Sequence, residues 1–423
     1  MSSNSGNDDR DCVKCGTCST VCPVYLVTGN EIHSPRGKQH LRAKIEKGER
    51  SSHFAEIFSQ CLLCGACREA CPRGLDTPEL VIRVRSELPR ISGISFLKYI
   101  SRKALVNPSI LAGLSRLGSA AGKLLEDRLP QDSGLRLRLH GFNRNTFRLP
   151  GRGYIEKLKS EPASDRAEQA KDQGQGINYF TGCLANHLQP GIAEALQFLV
   201  AETTGRKAAV PLTQTCCGMA GMSAGRPAEA IELARSNIKA FEGNDLPILT
   251  SCSSCYFQLK TYKELLADDP EWRKRAADFT ERLREFSPFF LKKFSAEKDR
   301  LLASGTFTPS DLKVYYHDPC HLRFKLKIME EPRNLLRIFP GLDLRELPGG
   351  PKCCGHGGLF QVAHPDLAQR IWHRDMTDYG DAALVTACSG CLLQWQSGLA
   401  DINSNTRAKH LAVFIAELLK QKL

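Results

Sequence analysis

Apolar and polar residues alternate in two different ways along the last two thirds of this chain. Short apolar stretches that run directly into cysteine have the length and the β-branched and aromatic content typical of buried strands. These stretches are INYFTGC at 177–183, LPILTSCSSC at 246–255, KVYYHDPC at 313–320 and ALVTACSGC at 383–391. The pattern therefore predicts four strands, each with cysteine just beyond its carboxyl end.

Segments with a helical period lie between these strands. One apolar face consists of Ile231, Ala234, Ile238 and Phe241, and its counterpart further along consists of Ala368, Trp372, Met376 and Tyr379. Another helix is predicted to begin near Pro190, because proline is favoured in the first helical turn. Strands that alternate with helices predict a small α/β layer, with the cysteines gathered at the carboxyl edge of its sheet.

The first half of the chain has a more polar pattern. The stretch RGKQHLRAKIEKGE at 36–49 has helical character, and residues 101–153 contain ten Lys or Arg against three Asp or Glu. Residues 91–175 are predicted to form a helical connector that leads into the polar linker SEPASDRAEQAKDQGQG at 160–176. The basic stretch fits either a solvated surface or docking against an acidic subunit or anionic lipid. No run of about 18 apolar residues occurs, so any membrane association is expected to be peripheral.

Cysteine is the residue whose abundance changes this picture. The chain has 423 residues, enough for two to four domains, and 18 of them are cysteine. Because its opening MSSNSGNDDRD lacks a basic start, an apolar stretch and a cleavage site, a cytoplasmic location is expected. Clustered cysteines in that reducing compartment favour metal binding over disulfides. The formal net charge of +12 is weak evidence for nucleic acid, since negatively charged clusters would cancel much of it.

Two cysteine doublets reveal an internal duplication. CCGMAG at 216–221 is matched by CCGHGG at 353–358, and the cysteines around the doublet return after 136 or 137 residues. Adjacent cysteines cannot readily bond to each other, because neighbouring Cα atoms lie closer together than a disulfide prefers. The first set comprises Cys183, Cys216, Cys217, Cys252 and Cys255, and the second comprises Cys320, Cys353, Cys354, Cys388 and Cys391. Each set is a candidate metal site, and the glycine after each doublet permits a backbone turn with positive φ.

The most specific motif is CVKCGTCSTVCP at 12–23, which is repeated as CLLCGACREACP at 61–72. Both match the C-x2-C-x2-C-x3-C-P run of two-cluster ferredoxins, in which the fourth cysteine binds the other cluster. This rule assigns one 4Fe-4S cluster to Cys12, Cys15, Cys18 and Cys71, and a second to Cys61, Cys64, Cys67 and Cys22. Zinc is disfavoured, because a tetrahedral site gives no reason for the third cysteine and the Cys-Pro ending of each run.

Four histidines lie near these cysteines in the sequence: His187, His317, His321 and His356. Each fits either a hydrogen-bond donor or proton carrier beside a metal site, or an ordinary loop histidine that faces solvent. Asp318, Pro319 and the glycines after each doublet are expected to shape the backbone.

The spacing C-x32-CC-x34-C-x2-C, with x33 in the second copy, resembles the cysteine-rich CCG domain. That domain occurs twice in the heterodisulfide reductase catalytic subunit, the glycolate oxidase iron-sulfur subunit, one subunit of the anaerobic glycerol-3-phosphate dehydrogenase, and lactate-utilisation proteins. Two ferredoxin runs followed by two such domains look most like the glycolate oxidase iron-sulfur subunit and its D-lactate dehydrogenase relatives. The complete closing pairs, which retain Cys252 and Cys388, are closer to the heterodisulfide reductase pattern.

The resemblance implies an α+β multidomain protein. It comprises a helical two-cluster ferredoxin domain at 1–90, similar to that of succinate dehydrogenase-type subunits, the connector at 91–175, and a duplicated α/β CCG cysteine-rich domain at 176–305 and 306–423. Each CCG domain is expected to hold one further iron-sulfur cluster. In heterodisulfide reductase this is a noncubane 4Fe-4S cluster that all five cysteines share.

The resemblance also implies a function in electron transfer. No G-x-G-x-x-G follows a candidate strand and no P-loop occurs, so FAD is expected on a partner subunit. The implied protein is the iron-sulfur subunit of a flavin-dependent 2-hydroxyacid dehydrogenase, for glycolate or D-lactate. It is expected to relay electrons from the partner flavin to quinone or another carrier, at the inner face of the cell membrane or in the cytoplasm, without oxidising substrate alone. The alternative is a heterodisulfide reductase-like subunit that reduces a disulfide at its CCG clusters.

Overall fold

A helical N-terminal module precedes two α/β domains in the computed structural model, which describes residues 12–49, 51–87, 152–161, 176–297 and 312–420. This order of elements confirms the predicted fold class. Most of the predicted connector and of the polar linker lies outside the described residues. Among the described helices, each is too short or too polar to cross a membrane.

The N-terminal module folds around short helices that hold the two cysteine runs. Its helices are α1 (Pro23–Thr28), α2 (Pro35–Glu46), α3 (Ser52–Ser59), α4 (Ala66–Ala70) and α5 (Thr77–Glu87), with 3-10 helices at Thr17–Ser19 and Glu31–His33. The helix predicted at 36–49 is α2, which ends at Glu46. Phe58 of α3 and Val81 of α5 are fully buried in one apolar cluster, so this small module has a core of its own.

The first α/β domain contains a parallel sheet and is preceded by α6 (Tyr154–Ser160), a helix of the predicted connector. The elements of the domain are β1 (Asn178–Phe180), α7 (Cys183–His187), α8 (Pro190–Thr204), α9 (Met219–Ser223), α10 (Pro227–Ala240), β2 (Ile248–Thr250), α11 (Ser253–Lys260), α12 (Tyr262–Leu265), α13 (Arg273–Arg282), β3 (Leu283–Glu285) and α14 (Phe286–Ala296). The strands lie in the order β1-β2-β3, all parallel. Pro190 is the first residue of α8, as predicted.

The second α/β domain repeats this plan with a larger sheet. Its elements are β4 (Leu312–His317), a π-helix at His321–Leu326, α15 (Glu330–Arg337), β5 (Leu342–Glu346), α16 (Phe360–Ala363), α17 (Pro365–Asp375), β6 (Ala383–Thr386), α18 (Ser389–Asp401), β7 (Arg407–His410) and α19 (Leu411–Lys420). The strands lie in the order β5-β4-β6-β7, again parallel. The four strands predicted from the sequence are β1, β2, β4 and β6.

The two predicted helical faces are correct only in part. In α10, Ala234 and Ile238 are buried, whereas Ile231 is only partly buried and Phe241 follows the last helical residue. The prediction was wrong beyond Asp375, where α17 ends before Met376 and Tyr379. The helix stops there because the Asp378 carboxylate accepts hydrogen bonds from Gly380 N and Thr406 Oγ1, which favour a turn.

The two α/β domains are packed together over a shared core. The C-terminal helix α19 contacts α8 of the first domain, with Leu196 and Leu199 buried in the same cluster as Ile415. A second cluster joins Phe180 of the first domain to Trp395 of the second. The cysteines of both domains therefore lie in one continuous body of protein.

Candidate metal centres

The cysteines of the N-terminal module line two adjoining cavities. Cys12, Cys15, Cys18 and Cys71 surround the first, Cys22, Cys61 and Cys64 surround the second, and Cys67 borders both. Cys22 and Cys71 each lie on the cavity formed by the other run. This exchange is the one that the ferredoxin pattern predicts for the fourth cysteine, while ligation itself stays a prediction.

The two runs have the same local backbone. Lys14 and Leu63 occupy equivalent places before the second cysteine and have φ values of 59° and 57°, in the left-handed region that side chains rarely adopt. Each bend is followed by a short helix that carries the third cysteine, and each run ends in an extended cysteine, Cys22 or Cys71. A repeated strained bend is a feature of functional loops, and each bend lies in a run whose first three cysteines line one cavity.

A buried lysine and a half-buried arginine lie near the second cavity. Lys38 is 2% exposed, borders this cavity and donates a hydrogen bond to the His33 carbonyl oxygen. Burial lowers the pKa of Lys38, and the nearby Cys61 and Cys22 act in the opposite direction. Arg85 donates to the carbonyl oxygens of Phe58, Ser59, Cys61 and Ser223. A four-iron cluster on thiolates is negatively charged, so such cations would offset its charge.

The cysteines of the first α/β domain form a continuous row of thiols. In space the order is Cys183, Cys216, Cys217, Cys255 and Cys252, with each side chain in contact with the next. The Sγ atoms of Cys183 and Cys216 are 3.8 Å apart. Cys183 follows β1 and Cys252 follows β2, so the carboxyl edge of the sheet gathers them as predicted.

The second α/β domain holds an equivalent row. Its order is Cys320, Cys353, Cys354, Cys391 and Cys388, again through successive side-chain contacts. The glycines after the doublets, Gly218 and Gly355, have φ values of 90° and 91°, as the sequence predicted. A Cβ on Gly355 would lie 2.9 Å from the Ala368 carbonyl oxygen, so the doublet also needs glycine for space.

The cysteine sets touch one another at two junctions. Cys64 of the ferredoxin-type module contacts Cys353 of the second α/β domain. Cys388 contacts Cys252, where the two rows of thiols meet. At this second junction the Ser254 hydroxyl oxygen lies 3.3 Å from Cys388 Sγ. The thiols therefore form a single succession from the N-terminal cavities to the first α/β domain.

The donor set fits iron-sulfur clusters. All 18 cysteines are free thiols, and 8 of the 10 in the α/β domains are buried. Burial raises the pKa of Cys22 to about 12 and raises that of Cys67 well above its ordinary value. A buried thiolate needs nearby positive charge, and bound iron would supply the positive charge that the protein itself does not provide.

The predicted histidines divide between two places. His321 Nδ1 lies 3.0 Å from the Ser254 hydroxyl, next to Cys388. His356 is half-buried and lies against Gly390, between the closing cysteines. Burial lowers the pKa of His317 to about 4, so its ring is neutral at physiological pH. His187 instead pairs with the Asn186 side chain and lies against Gly153. The structure thus brings three of the four histidines to the second row of thiols.

Sequence reasoning missed several residues around these sites. Lys38 shares a helical face with Leu41 and Ile45, and Arg85 lies four residues after the buried Val81, so a cation on an apolar face was the available signal. His410 is buried at the end of β7, and burial lowers its pKa to about 4. Because β7 is polar, nothing in the local sequence indicates that His410 is buried near these sites.

Comparison with known proteins gives the same division of the chain. Residues 9–75 match the 4Fe-4S dicluster domain, and residues 177–260 and 314–396 each match the cysteine-rich CCG domain. The probable glycolate oxidase iron-sulfur subunit of Bacillus subtilis is 30% identical, over 97% of this chain and 94% of that protein. Lactate utilization protein A of Shouchella clausii is 30% identical over 56% of this chain and 96% of its own length. The glycolate oxidase iron-sulfur subunit of Escherichia coli is 25% identical, over 98% of this chain and 95% of that protein.

A dicluster ferredoxin module followed by two CCG domains defines an iron-sulfur electron-transfer subunit of an oxidoreductase complex. Within that class, the chain belongs to the glycolate oxidase iron-sulfur subunit family, whose members match it over nearly its whole length.

Proposed function

We propose that this chain serves a flavin-dependent dehydrogenase for 2-hydroxyacids, glycolate or D-lactate. It receives electrons from FAD on a partner subunit and passes them to quinone or another carrier. Similarity to glycolate oxidase iron-sulfur subunits over nearly the whole chain supports the class of complex. Similarity to lactate utilization protein A keeps lactate beside glycolate as the substrate.

Four clusters are assigned to the cysteine sets, within domains bounded at residues 90, 175 and 305. One 4Fe-4S cluster is assigned to Cys12, Cys15, Cys18 and Cys71, and another to Cys61, Cys64, Cys67 and Cys22. Each row of five thiols is assigned one further iron-sulfur cluster, for which a noncubane 4Fe-4S form would use every thiol. In each case the clusters supply one-electron redox chemistry, while the protein sets spacing, burial and local charge.

The succession of thiol contacts is the observation on which the relay rests. Cys67 borders both N-terminal cavities, Cys64 contacts Cys353, and Cys388 contacts Cys252. Each assigned cluster therefore has ligands next to those of its neighbour. A relay needs such a succession, whereas a catalyst that works alone needs one centre open to its substrate.

A disulfide reductase at the CCG centres is the second candidate. It is favoured by the complete closing pairs and by the contact between Cys252 and Cys388, which sets the two centres side by side. However, these two residues are only 5% and 3% exposed. A disulfide would reach them only after the domains separate, so the relay is the better-supported function.

The electron acceptor in this proposal determines where in the cell the complex would act. Quinone lies in the membrane, so the complex would act as a peripheral assembly at the inner face of the cell membrane. The basic stretch at 101–153 is the candidate contact for an acidic subunit or anionic lipid, and nearly all of it lies outside the described residues.

The proposal is tested by anaerobic affinity purification of the tagged chain from its native cells, with identification of every copurifying chain. The expected result is a stoichiometric FAD-containing subunit that confers glycolate- or D-lactate-dependent reduction of a quinone analogue. Recovery of the iron-loaded chain without a flavoprotein, but with disulfide reductase activity, would instead favour the second candidate.

A further inference from the structure

His317 faces the second row of thiols with both of its ring nitrogens available. Its side chain is 1% exposed, and a ring nitrogen lies within 4.8 Å of the sulfur atoms of both Cys354 and Cys391. Among the described residues, neither Nδ1 nor Nε2 has a hydrogen-bond partner. A buried imidazole without a partner is costly, and these two thiols lie close enough to share a metal ion with it.

The first α/β domain lacks this histidine. Given the repeat of 137 residues, the position of His317 at the end of β4 corresponds to Phe180 at the end of β1. Phe180 packs in the apolar cluster with Cys216 and Cys217 and has no atom that could bind a metal. The two rows of thiols match in order, so this exchange is a difference in donor chemistry between otherwise equivalent sites.

The strand and a tryptophan together fix the orientation of the His317 ring. His317 is the last residue of β4 and is paired in register with Thr386 of β6, which places it at the sheet edge where the cysteines gather. The Trp395 ring packs edge-on against it, with ring centroids 5.6 Å apart. At the position equivalent to Trp395 the first domain has the aliphatic Leu259. The ring is therefore held by packing rather than by hydrogen bonds.

We propose that His317 is a nitrogen ligand of the iron-sulfur centre in the second α/β domain, beside Cys354 and Cys391. The inference rests on the assignment of a cluster to each row of thiols. Imidazole is an established ligand of iron, and histidine in place of thiolate raises the reduction potential of an iron-sulfur centre. The imidazole would take an iron position in the second centre that one of the row's thiolates would otherwise fill, whereas the first centre is an all-thiolate site.

This difference ranks the two CCG centres by reduction potential. The second centre contacts the ferredoxin-type module through Cys353 and the first centre through Cys388. It therefore stands between the other assigned clusters, and of the two CCG centres it is the one that would be reduced more readily. The first centre, with Phe180, is expected to have the lower potential of the two.

The test uses the complete chain purified anaerobically after growth on 15N-histidine, with pulsed electron paramagnetic resonance of the reduced CCG centres. The expected result is a strongly coupled 15N nucleus on one centre, which disappears in His317→Cys while the iron content is unchanged. His317→Phe, which copies the first domain, should lower the potential of that centre or release its iron. His356→Gln is the matched control, because His356 is a half-buried histidine beside the same cysteines, and it should retain the coupling.

Three results would overturn the inference. A coupling that survives in His317→Cys, or that disappears in His356→Gln instead, would show that another nitrogen binds. Full iron content without any strong histidine coupling would leave the clusters in place and remove His317 as a ligand. Zinc in place of the second CCG cluster would remove both the ligand and the cluster assignment.

Discussion

The Arg85 guanidinium donates a 2.6 Å hydrogen bond to the carbonyl oxygen of Ser223, which lies 138 residues further along the chain. Its Nη2 atom donates to the carbonyl oxygens of Ser59, the last residue of α3, and of Cys61, the first residue of the second cysteine run. One half-buried side chain therefore ties the ferredoxin-type module to the first α/β domain. It does so directly beside the second cavity.

Arg85→Gln is expected to destabilise the protein by about 3 kcal/mol, because it leaves several partly buried carbonyl oxygens without a donor. The measurement is urea unfolding of the anaerobic protein. Arg83→Gln is the control, since Arg83 is an exposed residue of the same helix that pairs only at 3.8 Å with Glu46. Equal unfolding midpoints for the two variants would mean that Arg85 does not hold the modules together.

Lys38→Met is expected to lower the reduction potential of the cluster assigned to Cys61, Cys64, Cys67 and Cys22. A buried positive charge stabilises the more negative, reduced cluster, and its loss at a separation of a few ångströms corresponds to a shift on the order of 100 mV. Potentiometric titration followed by electron paramagnetic resonance measures this shift. Lys44→Met, an exposed change on the same helix, should leave the potential within experimental error. A potential that responds equally to both variants would contradict a local role for Lys38.

Cys22→Ser is expected to perturb the cluster held by the second cysteine run rather than the first. The reason is that Cys22 lines the cavity of Cys61 and Cys64, although it belongs to the first run. Cys71→Ser is the reciprocal variant and should perturb the other cluster. Resonance spectra of the two reduced variants distinguish the clusters. If each variant altered only the cluster of its own run, the assigned exchange of fourth ligands would be wrong.

Glu285 gives the stability a dependence on pH. Burial raises its pKa from 4.5 to about 7, while its carboxylate still accepts a 2.6 Å hydrogen bond from Ser287 N. The folded protein therefore binds the proton more tightly, and the stability present below pH 4.5 is lost as pH rises through about 7. Between these limits the wild type should lose about 3 kcal/mol relative to Glu285→Gln, which cannot ionise.

The unfolding free energies of wild type and Glu285→Gln are compared at a series of pH values. The series runs from the ordinary carboxyl pKa of 4.5 to just above the raised pKa of about 7. Glu264→Gln serves as the control, because the Glu264 side chain is 63% exposed. A constant difference across this pH range would show that Glu285 is already ionised in the folded protein.

Local patterns in the sequence were sufficient for some elements and not for others. β1 and β6 were predicted because they are short, apolar and fully buried, and because cysteine follows each of them. β7, with the sequence RAKH, was missed because it is polar and becomes a strand only by pairing with β6. β5 is also partly exposed. In the first domain its place is taken by a single bridge between Asn178 and Ala209.

The cysteine sets were predictable, but their contacts with one another were not. Spacing identifies the cysteines of a set because nearby residues on strands, turns and helices converge within one domain. The contact of Cys64 with Cys353 depends on how the ferredoxin-type module packs on α17, where Val24 meets Ile371 in a shared apolar cluster. Such docking depends on side chains from distant segments, and no local period predicts it.

Substrate oxidation is expected on the flavin subunit and not on this chain. Removal of hydride from a 2-hydroxyacid is a two-electron step, whereas iron-sulfur clusters ordinarily pass single electrons, and a flavin is the usual converter between them. Glycolate or D-lactate added to the isolated, oxidised chain should therefore leave its cluster absorption unchanged. Addition of the cognate flavin subunit should then bleach the cluster absorption.

In Cys353→Ser the flavin should still be reduced, but onward transfer of electrons to the acceptor should fall, because Cys353 lies at the junction with Cys64. Bleaching by substrate of the chain alone, in a preparation free of flavin, would move the oxidation site into the CCG domains.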